Sequence, residues 1–369
     1  MKIAYITTQC PWGKAEAFIL KELITIKSKE VSVFVVPRNP SGKIFHQSAK
    51  IFLKDSIYMP LLNCVIIFNF LKFLAKDYVY WKMIWKIIRH SRNCQILIKN
   101  LAVLPKSFYI SKILKEKKIQ HIHAHWGTTT ATMGYVISEI TRIPWSMTLH
   151  RWDIKENNML EEKARTAKFI RCISVHGKDR MLAIVGKKYD AKTKIIHMWI
   201  DMPFLTPSKA KDNRSFTIVV PANLIEVKGH KYLIEACSLM VGKNIKNFKC
   251  IFYGDGKLKK NLARLIVERS LADYIAIKEA IPHEELMELY RSGQVDAVVL
   301  PSIITKSGEH EGIPVALMEA MAYGVPVIST NTGGIPELLS EDAGIIANEK
   351  SPEELCEAIR RIMTDENLS

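Results

Sequence analysis

The chain reads as an α/β protein built from two doubly wound, Rossmann-like parallel-sheet units. Three observations predict this. Short β-branched and aromatic runs alternate with helical stretches of roughly 10–15 residues, the pattern of parallel strands with crossover helices. At 369 residues the chain exceeds what one core supports, so two domains are expected. A polar segment with two prolines, "MPFLTPSKAKDNRS" at 202–215, separates the two alternating halves. The expected domains are 1–205 and 206–369, facing each other across a cleft, because open α/β sheets bind ligands beyond the carboxyl ends of their strands.

In the first half, "KIAYITT" and "VSVFVVP" are strands around the helix "AEAFILKELITIKS". "IQHIHAHW", "WSMTLH", "FIRCIS" and "KIIHMWI" follow as strands, with helices from about Thr129 to Ile140 and after His176. In the second half the strands are "SFTIVVP", "FKCIFYG", "YIAIKE", "DAVVLP", "PVIST" and "GIIA". Between them lie the helices "HKYLIEACSLM", "KLKKNLARLIVERS" and "HEELMELYRSG", and one beginning near Pro314. The last helix opens "SPEELCEAI", which predicts Ser351 as N-cap, Pro352 at the first position and Glu354 closing a capping box.

Residues 43–118 interrupt the first unit as a basic, aromatic insert. They hold 15 Lys plus Arg against Asp55, Asp77 and Glu116, which is +12 of the chain's +16. Such asymmetry predicts an anionic partner. "SIYMPLLNCVIIFNFL" (56–71) is uncharged but shorter than the ~18–20 residues a bilayer span needs. In "YWKMIWKIIRH", Trp81, Ile84, Trp85 and Ile88 share one helical face, with Lys82, Lys86 and Arg89 about 100° round from it. Tryptophans beside a lysine stripe suit a helix lying in an anionic membrane interface; a core-packed helix with a solvated edge is the other reading. No nucleic-acid-binding motif is present, and the basic residues interleave with aliphatics, so nucleic acid is not the expected partner. The seven cysteines lack Cys-x-x-Cys spacing, which argues against a disulfide framework or structural zinc and fits a reducing cytoplasm. The start, "MKIAYITTQCPW", reads as a strand and not as a signal peptide.

The stretch "SGEHEGIPVALMEAMAYGVPV" (307–327) carries the chemistry. Pro314 suits a helix's first position and Gly324 the residue past its end. Glu311 and Gly312 then lie in the loop entering that helix, whose free N–H groups can hold an anion. Glu319 sits about a turn and a half into the helix. A carboxylate, an anion site and a second carboxylate match, in order, the sugar hydroxyls, diphosphate and ribose hydroxyls of a nucleotide sugar. Two glutamates eight apart are common, so spacing alone does not exclude a loop charge and a helix-surface residue.

"EGIPVALMEAMAYGVPVISTNTGGIPELL" resembles the signature block of retaining family 4 glycosyltransferases, which have a Glu-x7-Glu motif and the GT-B fold. "ANLIEVKGHKYLIEA", "YGDG", "IPHEELMELY" and "LPS" resemble their other donor-domain blocks. "PWGKAEAFILKEL", "HIHAHWG" and "SMTLHRWDI" resemble acceptor-side blocks of relatives that build bacterial exopolysaccharides. The resemblance covers nearly the whole chain, is strongest over 216–340 and leaves out the basic insert. It implies that Glu311 binds the donor sugar's hydroxyls, that Gly312 and Ile313 hold the diphosphate through their backbones, and that Glu319 binds the ribose. It further implies donor-site roles for Gly254 and Asn223, and a Lys228 that neutralises the leaving diphosphate, as a fixed cation does for developing charge. Three departures stand out. Asn223 replaces a frequent Arg, Trp199 replaces a usual Gly, and the chain stops at Ser369, where many relatives have a further helix.

In the first half, the resemblance puts His150 beside the transferred sugar. Asp153 either receives the acceptor hydroxyl's proton or orients its neighbours. His123 and His125 share a strand face and are expected to form a hydrogen-bonded pair near the acceptor, not a metal site, since family 4 enzymes need no metal. Glu16 is expected to face the acceptor. The resulting expectation is a retaining, metal-independent hexosyltransferase with no cofactor, at the inner face of the cell membrane. It would move sugar from a nucleotide sugar to a lipid-linked saccharide of bacterial surface or exopolysaccharide synthesis. A nucleotide-sugar epimerase and a non-catalytic membrane-associated relative are the alternatives.

Overall fold

The computed structural model describes residues 1–12, 16–42, 44, 47–200, 202, 215–340 and 342–364. It divides into two compact units at His197–Met198, ahead of the expected 205/206 boundary. Residues 203–214 of the expected boundary segment, Lys43 at the edge of the insert, and the final residues 365–369 lie outside the described residues.

The first unit runs β1 (Lys2–Thr7), α1 (Ala17–Ser28), β2 (Ser32–Pro37), α2 (Cys64–Lys76), α3 (Tyr78–His90), α4 (Cys94–Glu116) and β3 (His121–His125). It continues with α5 (Thr129–Thr141), β4 (Trp145–Leu149), α6 (Arg151–Glu156), α7 (Leu160–Thr166), β5 (Phe169–Cys172), α8 (Val175–Val185) and β6 (Thr193–Ile195). All six strands are parallel, in the order β2-β1-β3-β4-β5-β6. The two-residue period of β1 shows how the sheet is covered. Ile3 and Tyr5 join a core with Ile19 and Leu23 of α1, while Ala4 and Ile6 join one with Phe108 of α4 and Val136 of α5.

The basic insert is therefore not one appendage. α4 is the crossover helix between β2 and β3, with Val103, Leu104, Phe108 and Leu114 buried. Its fully buried Lys106 donates to the carbonyls of Pro37 (2.7 Å), Arg38 (2.9 Å) and Met59 (2.6 Å), which ties the end of β2 to the start of the insert. Burial lowers its pKa to about 7. On α3 the expected single apolar face is split. Met83 and Ile87 enter the core with Tyr80 and Ile84 against it, and Trp81, Trp85 and Ile88 stay on the exposed side.

The second unit runs β7 (Phe216–Pro221), α9 (His230–Gly242), β8 (Phe248–Tyr253), α10 (Lys259–Glu268), β9 (Ile275–Lys278), α11 (His283–Arg291) and β10 (Ala297–Leu300). It ends with α12 (Val315–Ala322), β11 (Val327–Thr330), α13 (Ile335–Leu338), β12 (Ile345–Ala347) and α14 (Pro352–Thr364). Its sheet is parallel, in the order β12-β11-β10-β7-β8-β9. At α14 the Glu354 N–H donates to Ser351 Oγ (3.3 Å), as expected of an N-cap. The Glu354 carboxylate, however, accepts from the backbone and amide of Asn348, both at 2.7 Å, and does not close the box.

Candidate functional site

In the second unit the strand order reverses between β7 and β10, and this switch point is where an open α/β sheet forms its crevice. Lys228 follows β7 in a short 3₁₀ turn, and Glu311 lies in the loop after β10. Their side chains meet there, Lys228 Nζ to Glu311 Oε2 at 2.5 Å, with only 18% and 9% of each exposed. Ser302 Oγ also donates to Oε2 (3.5 Å), and the Gly312 N–H donates to Oε1 (3.3 Å). The two residues expected to hold different parts of a donor thus hold each other.

The turn after β11 is folded onto this loop. The Gly334 N–H and His310 Nδ1 both donate to the Glu311 carbonyl, at 3.4 and 2.9 Å. Gly333, at φ 61°, lies so close that a Cβ there would stand 1.8 Å from the same carbonyl oxygen. Sequence reasoning gave Gly333 and Gly334 no role, although a glycine pair directly after a strand was the available signal.

Glu319, on α12, has 14% of its side chain exposed and binds His283 Nε2 through Oε1 (2.8 Å). His283, at the start of α11, was not foreseen either. Asn223 is exposed just past β7. Gly254, just past β8, packs against the chain there, since a Cβ would come within 2.1 Å of the Ala222 carbonyl oxygen. Gly312 is half-buried and Ile313 buried. Asn223, Lys228, Gly254, Glu311, Gly312 and Ile313 therefore follow the carboxyl ends of β7, β8 and β10, with Glu319 deeper along α12.

The first unit has its own switch point between β1 and β3. Glu16, 5% exposed, lies just ahead of α1. Its Oε1 accepts from the Thr8 N–H (3.1 Å), the Thr8 hydroxyl and Trp126 Nε1 (2.7 Å), and its Oε2 from the N–H groups of Gln9 and Cys10, both at 2.8 Å. Five donors saturate one carboxylate. Glu16 therefore fastens the loop after β1 to the loop after β3, in place of the expected contact with an acceptor.

His123 and His125 share a face but do not bond each other, as had been expected; their rings are 6.4 Å apart. His123 reaches Ser146 Oγ (2.8 Å) and Thr148 Oγ1 (2.9 Å). His125 belongs to a chain of bonds. Arg171 Nη1 donates to Glu22 Oε2 (2.7 Å), and the Tyr5 hydroxyl donates to Glu22 Oε1 (2.7 Å). Tyr5 Oη then meets His125 Nδ1 (2.8 Å), and His125 Nε2 meets His150 Nε2 (2.9 Å). Tyr5 has one hydrogen, directed to Glu22, so His125 Nδ1 must donate to it. His125 Nε2 is then the acceptor and His150 Nε2 the donor. Burial, first, and the Arg171 charge hold His150 at about pKa 3, and burial holds His123 at about 4 and His125 well below its usual range. All three are neutral at pH 7. Glu22, His123 and His125 are close enough to face one ion. Each also takes part in the hydrogen bonds above, beside the Arg171 guanidinium.

Asp153 is 1% exposed, and its Oδ2 accepts from the His150 N–H (2.9 Å). Burial raises its pKa to about 7, opposed by the backbone N–H groups of Gly127 and His150, which favour the carboxylate. Its bond to the His150 N–H holds the start of α6, the positioning half of the two expected roles. Buried Lys163, whose pKa burial lowers to about 7, donates to the carbonyls of Gly127 and Thr128, both at 2.9 Å. No sequence signal marked Lys163, Tyr5, Glu22 or Arg171.

Two parallel-sheet, Rossmann-like halves with a cation–carboxylate pair at the second switch point place the fold in the GT-B glycosyltransferase class. Residues 201–369 match the family described as glycosyl transferases group 1. Among relatives, the chain is 34% identical over 180 residues to an Escherichia coli (strain K12) protein named as a colanic acid biosynthesis glycosyltransferase, WcaL, covering 47% of this chain and 44% of that one. It is 35% identical over 150 residues to the amylovoran biosynthesis glycosyltransferase AmsK of Erwinia amylovora, covering 40% and 36%. These matches span less than half the length of either relative. Among solved structures, apo lipopolysaccharide outer core galactosyltransferase WaaB shares the fold, with a TM-score of 0.69, 12% identity and coverage of 100% of this chain and 92% of that one.

Proposed function

We propose that the chain is a retaining, metal-independent glycosyltransferase that moves a hexose from a nucleotide sugar to a saccharide hydroxyl in bacterial exopolysaccharide synthesis. The observation that carries this reading is the Lys228–Glu311 pair at the switch point of a group 1 domain, with Glu319 one helix segment further on. Glu311 accepts hydrogen bonds from sugar hydroxyls, the Gly312 and Ile313 backbones and Asn223 meet the diphosphate, and Glu319 takes the ribose. Lys228 stabilises charge on the leaving phosphate. The acceptor oxygen attacks the anomeric carbon on the face the phosphate leaves. The C–O bond to phosphate breaks as the new one forms, and the acceptor's proton passes to a phosphate oxygen. His150 is neutral and held through its ring nitrogen, so it takes up no proton. Incubation with labelled UDP-, GDP-, dTDP- and ADP-sugars tests this. Transfer to an acceptor supports it; a changed sugar formed without acceptor points to an epimerase; no turnover with any donor points to a non-catalytic relative.

The acceptor is read as lipid-linked and the enzyme as peripheral at the inner, cytoplasmic membrane face. The supporting observation is the exposed set Phe68, Leu71, Trp81, Trp85 and Ile88 on α2 and α3, beside exposed Lys72, Lys76, Lys82 and Arg89. Among the described residues no helix is long and apolar enough to cross a membrane. Flotation with phosphatidylglycerol vesicles, lost in Trp81→Glu/Trp85→Glu, is the expected result; equal recovery of both proteins would remove this part of the reading.

A further inference from the structure

A cavity of about 370 Å³ opens in the first unit where the chain leaves β2, β3 and β4, and it is separate from the His125–His150 chain. This size falls within the roughly 300–1,000 Å³ usual for small-molecule sites. Its walls combine three chemistries. Arg38 commits one donor, Nη1 to Thr129 Oγ1 at 2.7 Å, which leaves most of a five-donor fork for another partner. Trp152, 50% exposed, offers an indole surface. Glu156 takes Lys99 Nζ on Oε1 (2.8 Å), while its Oε2 is buried with no partner. With Arg38 and Lys99 against Glu156, the charged walls sum to one positive charge. Burial disfavours the Arg38 cation, so an anion arriving there is welcome to it.

We infer that this cavity is a subsite for an acidic saccharide, with Arg38 gripping an oxyanion, Trp152 stacking under the pyranose ring and Glu156 accepting from ring hydroxyls. A neutral sugar leaves the Arg38 fork without a charged partner, and a free inorganic anion leaves the indole uncovered. The oxyanion can be a uronic acid carboxylate or the phosphate of a glycosyl phosphate; both present two anionic oxygens that an Arg fork grips with parallel N–H bonds. This deepens the transfer reading and rests on it, since it places an acceptor saccharide in the first unit.

Calorimetric titration separates the possibilities. The probes are a glucuronic acid-terminated disaccharide, its glucose-terminated counterpart and glucose 1-phosphate. Each is titrated into the whole protein and into Arg38→Gln, Arg38→Lys and Trp152→Ala, and UDP, GDP, dTDP and ADP are titrated into the same preparations. At least one acidic probe should bind roughly tenfold or more tighter than the neutral disaccharide, as a charge-assisted pair implies. Arg38→Gln should abolish that preference, Arg38→Lys restore part of it, and Trp152→Ala weaken all three sugars. The preferred acid identifies the source of the oxyanion. Equal affinities for acidic and neutral probes, no sugar binding, or an Arg38→Gln protein that keeps the preference would each overturn the inference. Binding of whichever nucleotide the unmodified protein takes should survive in every variant. Failure of UDP, GDP, dTDP and ADP alike to bind the unmodified protein would sink the transfer reading instead, and leave the saccharide result to stand by itself.

Discussion

Lys228 and Glu311 can be separated into their structural and chemical contributions by a double-mutant cycle with Lys228→Met and Glu311→Gln. At 2.5 Å the gross attraction is about 7 kcal/mol at an effective dielectric of ~20, much of it offset by desolvation of two side chains that are 82% and 91% covered. Removing one partner strands the other charge, which costs about 3 kcal/mol. In a unit of this size that shifts the melting temperature by roughly 6–12 °C. Removing both partners leaves two uncharged groups of similar shape, so the double variant should recover most of the loss. Transfer activity should not recover with it: both single variants and the double variant should fall by roughly 10²–10³-fold, because the charge on the leaving phosphate loses its fixed partner. Chemical unfolding followed by Trp fluorescence, beside turnover with labelled donor, reads both quantities. Single variants that each lose under about 0.5 kcal/mol and add without coupling would refute the pair, and unchanged turnover in Lys228→Met would refute its chemical role.

Glu16→Ala should cost about 3 kcal/mol or more, since five donors lose their acceptor at once, and Glu16→Gln part of that; a Glu16→Gln protein with normal melting and only a raised acceptor KM would show the carboxylate to be a ligand after all. Tyr5→Phe should move the ¹⁵N shifts of the His125 and His150 rings as their tautomers are released, and lower kcat at little change in donor KM; ring shifts identical to the parent's would break the proposed chain. Acid should destabilise the fold. His123 and His230, each at about 4, and His150, at about 3, are neutral when folded, whereas the unfolded chain protonates near 6.5. Falling from pH 6.5 to 4.5 therefore costs about 2–3 kcal/mol for each, while Asp153, with its folded pKa raised to about 7, returns about 3 as it is protonated in the fold. The urea midpoint at pH 4.5 should lie below that at pH 7.5, and equal midpoints would contradict the buried, neutral histidines.

Strand periodicity was legible because parallel strands covered on both faces leave continuous β-branched runs, as in "VSVFVVP" and "DAVVLP". The short helices α6, α7 and α13 were not, since fewer than two turns leave too little period to read. α4 was hidden in the charge count, because its lysines dominate composition while its buried face decides its place. Glu311 and Glu319 stood out through loop and helix limits, and Lys228 through the family resemblance. Their immediate partners, in one case each other and in the other His283, depend on strand order, which no local pattern encodes. The same holds for Glu16. Its type and position were noticed, but only the adjacency of β1 and β3 reveals that its oxygens are already taken.

The ties at the two switch points join residues far apart in the chain, Glu16 to Trp126 across 110 positions and Lys228 to Glu311 across 83. Between each pair lie the strands of one whole flank of the sheet or its crossover helices. Loop closure of that length is disfavoured until the intervening segments have packed. Neither tie can therefore seed its unit. Each should close after the hydrophobic layers have assembled, and the geometry of both loop clusters becomes a late product of folding, reached only by chains whose sheets are already complete.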